Sequence, residues 1–200
     1  AVEIREKQGR PISAFFRLPG FRLALCSAAL GYAVMSFLMT AVPLQIVNVS
    51  LLGEALNARV IQWHVIAMFA PSFFTGSLIT RFGIRAIMTA GLVLYLAGII
   101  VALSGLQFWY YFATLFFVGL GWNFLYIAGT SLVTLVTEPE ERGRVQGITD
   151  MTVFTAVACA SLSAGIIHTI GGWHIMALAA LLPISIIGVT IAMTSKPSLP

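Results

Sequence analysis

Charge is what this sequence lacks most. Only 9% of its 200 residues are Asp, Glu, Lys or Arg, where a water-facing domain carries roughly a quarter. So few charges cannot coat a globule of this length, which excludes a cytosolic enzyme and a disordered tail alike. Cysteine is scarce as well. Cys26 and Cys159 make no framework for a secreted disulfide scaffold, and their spacing suits no metal. Ala1–Lys7 is polar and charged, so no cleavable signal is expected, and the chain starts without Met, as a linker entered partway would. What is present in excess is apolar surface: 59% of residues are hydrophobic and the mean hydropathy is +0.97. The chain reads as an integral membrane protein in contact with the lipid bilayer.

The charges are clustered. Residues 23–53, 60–80, 86–137 and 151–195 contain no Asp, Glu, Lys or Arg. A spanning helix needs about 20 apolar residues, so these runs hold one, one, two and two spans. The third run breaks at Ser104-Gly105-Leu106-Gln107 and the fourth at Gly171-Gly172, both turn-like. Six helices are predicted, at 23–48, 60–80, 86–104, 108–136, 146–169 and 173–194. The continuous runs lack the alternation of a β-barrel, so the fold class is an all-α polytopic helical bundle. Residues 1–22 read as a cytoplasmic linker with an interfacial stretch, Phe15-Phe16-Arg17 to Phe21-Arg22, and 195–200 as a tail.

Six spans place both termini on one side. That side holds Arg5, Lys7, Arg10, Arg17, Arg22, Arg81, Arg85, Arg142, Arg144 and Lys196, leaving Arg59 alone opposite. The positive-inside rule assigns the basic side to the cytoplasm of a plasma membrane, with a bacterial inner membrane the expected setting. The pI of 9.4 is then topology; no stripe for nucleic acid lies outside these loops.

Polarity sorts the spans. The fourth carries Asn123, Tyr126, Thr130, Thr134 and Thr137 at helical spacing, with Trp122 beside them. The first carries Tyr32, Ser36 and Thr40 in line, then Pro43 and Gln45. Such stripes face protein or water rather than lipid, serving either interhelical hydrogen bonds or a ligand. The third and sixth spans are nearly bare of polar groups and look lipid-facing. Pro43, Pro71 and Pro183 each remove a backbone hydrogen bond, giving static kinks or hinges. Ala156, Ala160 and Ala164 form a close-packing face. His64 lies about one turn inside the second span and could enter a cavity, whereas His168 and His174 read as solvated loop residues.

Gly76-Ser77-Leu78-Ile79-Thr80-Arg81-Phe82-Gly83-Ile84-Arg85 resembles the Gly-x-x-x-Asp-Arg-x-Gly-Arg-Arg signature of the major facilitator superfamily, in its degenerate second-half form. Glu140-Glu141-Arg142-Gly143-Arg144-Val145-Gln146-Gly147 is similar to another cytoplasmic loop of that family. Together with the linker, the resemblance covers the whole chain as the C-terminal six-helix half of a twelve-helix transporter. It implies inverted three-helix repeats, for which the equal spacing of Gly76–Gly83 and Gly165–Gly172 is a weak internal echo. It also implies alternating access, an N-terminal half as partner, and first and fourth spans lining the cavity, with the third and sixth outside.

Thr80 stands where that signature has Asp. Asp150 is the nearest counter-ion for a cytoplasmic gate of Arg81, Arg85, Arg142 and Arg144, with proton carriage as its alternative role. The substrate-binding candidates are Asn123, Tyr126, Trp122, Thr130, Tyr32, Gln45 and His64. None of these is charged at mid-membrane, so the expected solute is a neutral or weakly charged organic molecule with an aromatic or polyhydroxyl portion, gripped mainly by Asn123 and Tyr126. No cofactor or metal is expected. Two other functions were weighed against this: a six-span assembly subunit that transports nothing, and a rhomboid-type protease. Gly129-Thr130-Ser131 opens like the protease motif, but Leu132 replaces its second Gly, and no base stands within reach of Ser131.

Overall fold

The computed structural model describes residues 9–194, and within them every regular element is helical. A single turn, α1 (Ile12–Phe15), precedes α2 (Pro19–Pro43), which continues through a π-helical segment, Leu44–Val49. Pro19 suits a first helical position, where no N–H is required. Pro43 cannot donate to the carbonyl one turn back, and the helix widens into the π segment directly after it. Leu51 and Gly53, both at positive φ, then turn the chain into α3 (Glu54–Phe69). Pro71 separates α3 from α4 (Ser72–Phe82), with a 41° bend between them. Gly83, at φ 85°, joins α4 to α5 (Ile84–Ser104); α6 (Phe108–Val136) and α7 (Arg142–Met193) follow.

Four helices are long and apolar enough to cross a membrane, or five if the bent α3–α4 pair is one span. At 1.5 Å per residue α7 would measure about 78 Å, far more than a hydrocarbon core of about 30 Å. Gly172 interrupts it at φ 65°, ψ −171°, a conformation open essentially to glycine alone. The two predicted breaks thus have different outcomes. Ser104–Gln107 is a true interhelical loop, whereas Gly171-Gly172 is a one-residue break in a helix whose hydrogen bonding runs almost through it.

α6 is the centre of the bundle, packed by α2, α3 and α5, and α7 lies along α2 and α5. Gly91 and Gly121 bring α5 and α6 together: a Cβ on Gly91 would stand 2.9 Å from the Gly121 carbonyl oxygen. Gly129 is likewise a packing position against Ala24 and Ala28 of α2, which accounts for the glycine that opened the protease-like motif. Ala160 and Ala164 pack into the core, as a small-residue face should. α5 is two-sided: Tyr95 and Ile99 are buried, while Val93 and Ile100 point outward.

The N-terminal aromatics depart from expectation. Phe15 and Phe21 are 1% exposed and meet edge to face at 5.8 Å. They belong to the core, not the interface, because α1 folds back onto the bundle; Phe16 alone remains exposed. Arg5, Lys7 and Lys196 lie outside the described residues.

Candidate functional site

The polar groups of α6 separate onto different faces. Asn123 is fully buried. Its Nδ2 donates to the Met68 carbonyl and to Ser72 Oγ, each at 2.6 Å, and its Oδ1 accepts from Thr75 Oγ1 at 2.6 Å. All three partners flank Pro71. The amide therefore braces the α3–α4 break, where the proline disrupts helical bonding, and it presents no free N–H to a solute. Thr130, Thr134 and Thr137 donate to the carbonyls one turn back, Tyr126, Thr130 and Val133. Their hydroxyls are spent inside their own helix.

Tyr126, Trp122 and Tyr32 do come together. Trp122 and Tyr126, one turn apart, stack at 5.1 Å with planes 10° apart. The Tyr32 ring from α2 stands edge-on to both, at 5.1 and 5.5 Å. Phe154 of α7 closes the group 6.4 Å from Tyr32, and Phe69 meets Trp122 at 5.8 Å. Tyr32 and Tyr126 are half-buried, Phe69 and Phe154 more than half exposed, and Trp122 is 5% exposed. The indole Nε1 is buried without a partner. Four helices, α2, α3, α6 and α7, thus build an aromatic cluster whose Phe69 and Phe154 edges are exposed. Phe154 and Phe69 escaped the sequence reading; the available signal for Phe154 was a lone aromatic within an alanine-rich face.

The remaining candidates hold other junctions. Gln45 is buried; its Nε2 donates to Tyr111 Oη at 3.1 Å and its Oε1 lies 2.9 Å from His168 Nε2. Ser50 and Tyr111 share a hydrogen bond of 2.8 Å. His168 is therefore not a solvated loop residue: it is 9% exposed, because α7 runs on past it to Gly172. His64 is fully buried, its Nδ1 2.6 Å from the Leu115 carbonyl, and so ties α3 to α6. His174 is exposed, as expected.

Among the described residues the single ion pair joins Arg10 and Glu141, 2.7 Å apart. Glu141 Oε1 also accepts from the Arg10 backbone N–H at 2.7 Å, and Arg10 Nη2 reaches the Val136 carbonyl. Arg144 donates to the Arg10 carbonyl, and the Arg10 guanidinium lies 4.6 Å over the Phe15 ring. The Arg10 guanidinium holds the Glu141 carboxyl down to about 2 and is itself raised. Arg81 lies over the Phe82 ring instead of meeting Asp150. Arg85 donates to the Ile191 carbonyl at 2.5 Å, a cation placed at the negative end of α7. Neither is joined to Asp150, whose Oδ1 accepts from Gln146 Nε2 at 2.8 Å. Arg142 is exposed. The gate candidates are thus dispersed: Arg144 joins the Arg10–Glu141 knot, Arg85 caps α7, and Asp150 bonds to Gln146 on its own helix.

A family model described as Major Facilitator Superfamily matches residues 10–199. Riboflavin transporter RfnT of Brucella anthropi is 45% identical over 168 residues, covering 83% of this chain and 42% of that protein. Two Bacillus subtilis proteins, each described as an uncharacterized MFS-type transporter, are also similar. YdeG is 36% identical over 138 residues (67% of this chain, 31% of that protein), and YddS 29% over 167 (81% and 38%). The chain spans less than half the length of these curated relatives.

Proposed function

The chain belongs to the major facilitator superfamily, and from that premise we propose that it works as the C-terminal half of a secondary transporter moving a flavin-like solute by alternating access. The family and the transporter names of its relatives point away from an enzyme. Six spans follow if α3 and α4 count as one crossing and α7 is divided at Gly172. An N-terminal half of the same protein then faces this one across the cavity, and the basic loops lie in the cytoplasm.

One observation carries the substrate reading: the open aromatic cluster of Tyr32, Trp122, Tyr126 and Phe154. A flavin is a planar fused ring bearing a polyhydroxyl chain, and riboflavin is what the Brucella anthropi relative is named for. The stacked Trp122–Tyr126 pair offers a face, Tyr32 an edge, and the half-exposed phenols offer hydroxyls. Asn123 supports this surface from behind by holding α4 against α6, and Gln45 and His64 hold its neighbours.

The test is flux of labelled riboflavin through membranes containing the intact transporter, with Tyr32→Leu and Tyr126→Leu variants. Flux should depend on the protein and fall in both variants while the folded amount stays constant. No riboflavin flux in the parent, or full flux in both variants, would reject the reading.

A further inference from the structure

Asp150 is a carboxylate on the helix that carries Phe154 of the aromatic cluster, four positions before it. It precedes Phe154 by one turn of α7, about 6 Å along the axis, so the two share one face of that helix. It is half-buried, and a carboxylate at such a depth is costly unless it has work or partners. Its one hydrogen bond comes from Gln146 on its own helix. Arg85 is spent on the Ile191 carbonyl and Arg81 lies on Phe82. Arg144 reaches back to Arg10, two turns toward the start of α7. The carboxylate therefore stands next to the ring site with acceptor capacity to spare.

We propose that Asp150 sets the charge selectivity of the aromatic site: it accepts hydrogen bonds from N–H and O–H groups of an uncharged ring solute and excludes the same solute carrying a phosphate. The proposal rests on the flavin-type reading above and deepens it. An ionised carboxylate only accepts, so it rewards imide N–H and sugar hydroxyl donors. A phosphate brings acceptors and negative charge to the same place. Like charges brought together in a poorly hydrated site repel one another strongly. Gln146 donates to Asp150 Oδ1 from one turn back on α7, which orders the carboxylate and leaves its other oxygen to accept.

Riboflavin and its 5′-phosphate are the probes, and the readout is the ratio of their inhibition constants against labelled riboflavin in the intact transporter. The parent should favour riboflavin strongly. Asp150→Asn should narrow the ratio by about tenfold or more, mainly by admitting the phosphate, and Asp150→Glu should keep it. Asp150→Ser, read by the same ratio, serves if the Asn variant does not insert. An unchanged ratio in a neutral variant that still carries riboflavin would overturn the role of Asp150 alone. Absence of riboflavin flux in the parent would remove the flavin reading and this inference together. A lipophilic aromatic cation that competes better than riboflavin, and loses that advantage in Asp150→Asn, would overturn the inference in favour of a cation site.

Discussion

The knot around Glu141 and the cluster around Tyr126 treat their polar groups in opposite ways. At Glu141 every strong group is committed: the carboxylate takes the Arg10 guanidinium and the Arg10 N–H, while Arg144 takes the Arg10 carbonyl. At Tyr126 the contacts are ring against ring, the Trp122 N–H is unpaired, and Asp150 is answered only by its own helix. A fully answered polar group fixes one geometry. A cluster with exposed ring edges at Phe69 and Phe154 still has surface to offer a solute. Mutations should therefore split into two classes, with folded amount responding in one region and affinity in the other.

Asn123→Ala gives the largest expected effect and lies on the committed side. It strips partners from the Met68 carbonyl, Ser72 and Thr75 together. A loss of about 3 kcal/mol of stability is expected, seen as less folded protein and a lower melting temperature, with riboflavin affinity per folded molecule nearly unchanged. Selective loss of affinity at constant folded amount would return Asn123 to the ligand surface. Gly172→Ala should come next, at about 2 kcal/mol, since Ala does not tolerate φ 65° with ψ near 180°. Thermal unfolding measures it; an unchanged melting point would mean that the break relaxes into continuous helix.

Tyr126→Leu should do the reverse of Asn123→Ala. Losing one stacked face removes about 1 kcal/mol of ring contact, a roughly fivefold weaker riboflavin affinity by fluorescence titration, at constant folded amount. Glu141→Gln is expected to be the mildest and most local, raising amide hydrogen exchange in residues 10–18 without altering affinity. Its pH dependence has a defined sign. The Glu141 carboxyl is depressed from 4.5 to about 2, so the knot is fully present above pH 4.5 and is lost as pH falls through about 2. Protection factors in this segment, corrected for the intrinsic pH dependence of exchange, should not change between pH 7 and 5; protection lost within that window would show that Arg10 does not hold Glu141.

How much could be read in advance follows from which forces are local. Charge-free runs and Gly-Leu-Gln and Pro breaks marked where apolar helices run, though not their number, because the cost of a charge or an unpaired backbone group in lipid depends on the residue itself. The helical stripe of the fourth span did set Tyr126 beside Trp122. It merged them with Asn123 because helical spacing brings residues to a shared stripe and says nothing about which neighbour each one meets.

The sequence by itself determined a membrane-embedded all-helical chain with interruptions after Pro43, at Pro71 and at Gly172, though not at Pro183, which α7 carries without a break. These depend on composition and on backbone chemistry within a turn. Only the tertiary structure decided that Asn123 braces the Pro71 break, that His168 reaches Gln45, and that Arg10 captures Glu141. It also decided that Arg85 reaches the Ile191 carbonyl and not Asp150. Each of those pairings joins residues far apart in the chain. A polar side chain in a low-dielectric interior bonds to whichever partner packing brings within about 3 Å, and that distance is set by how the helices cross.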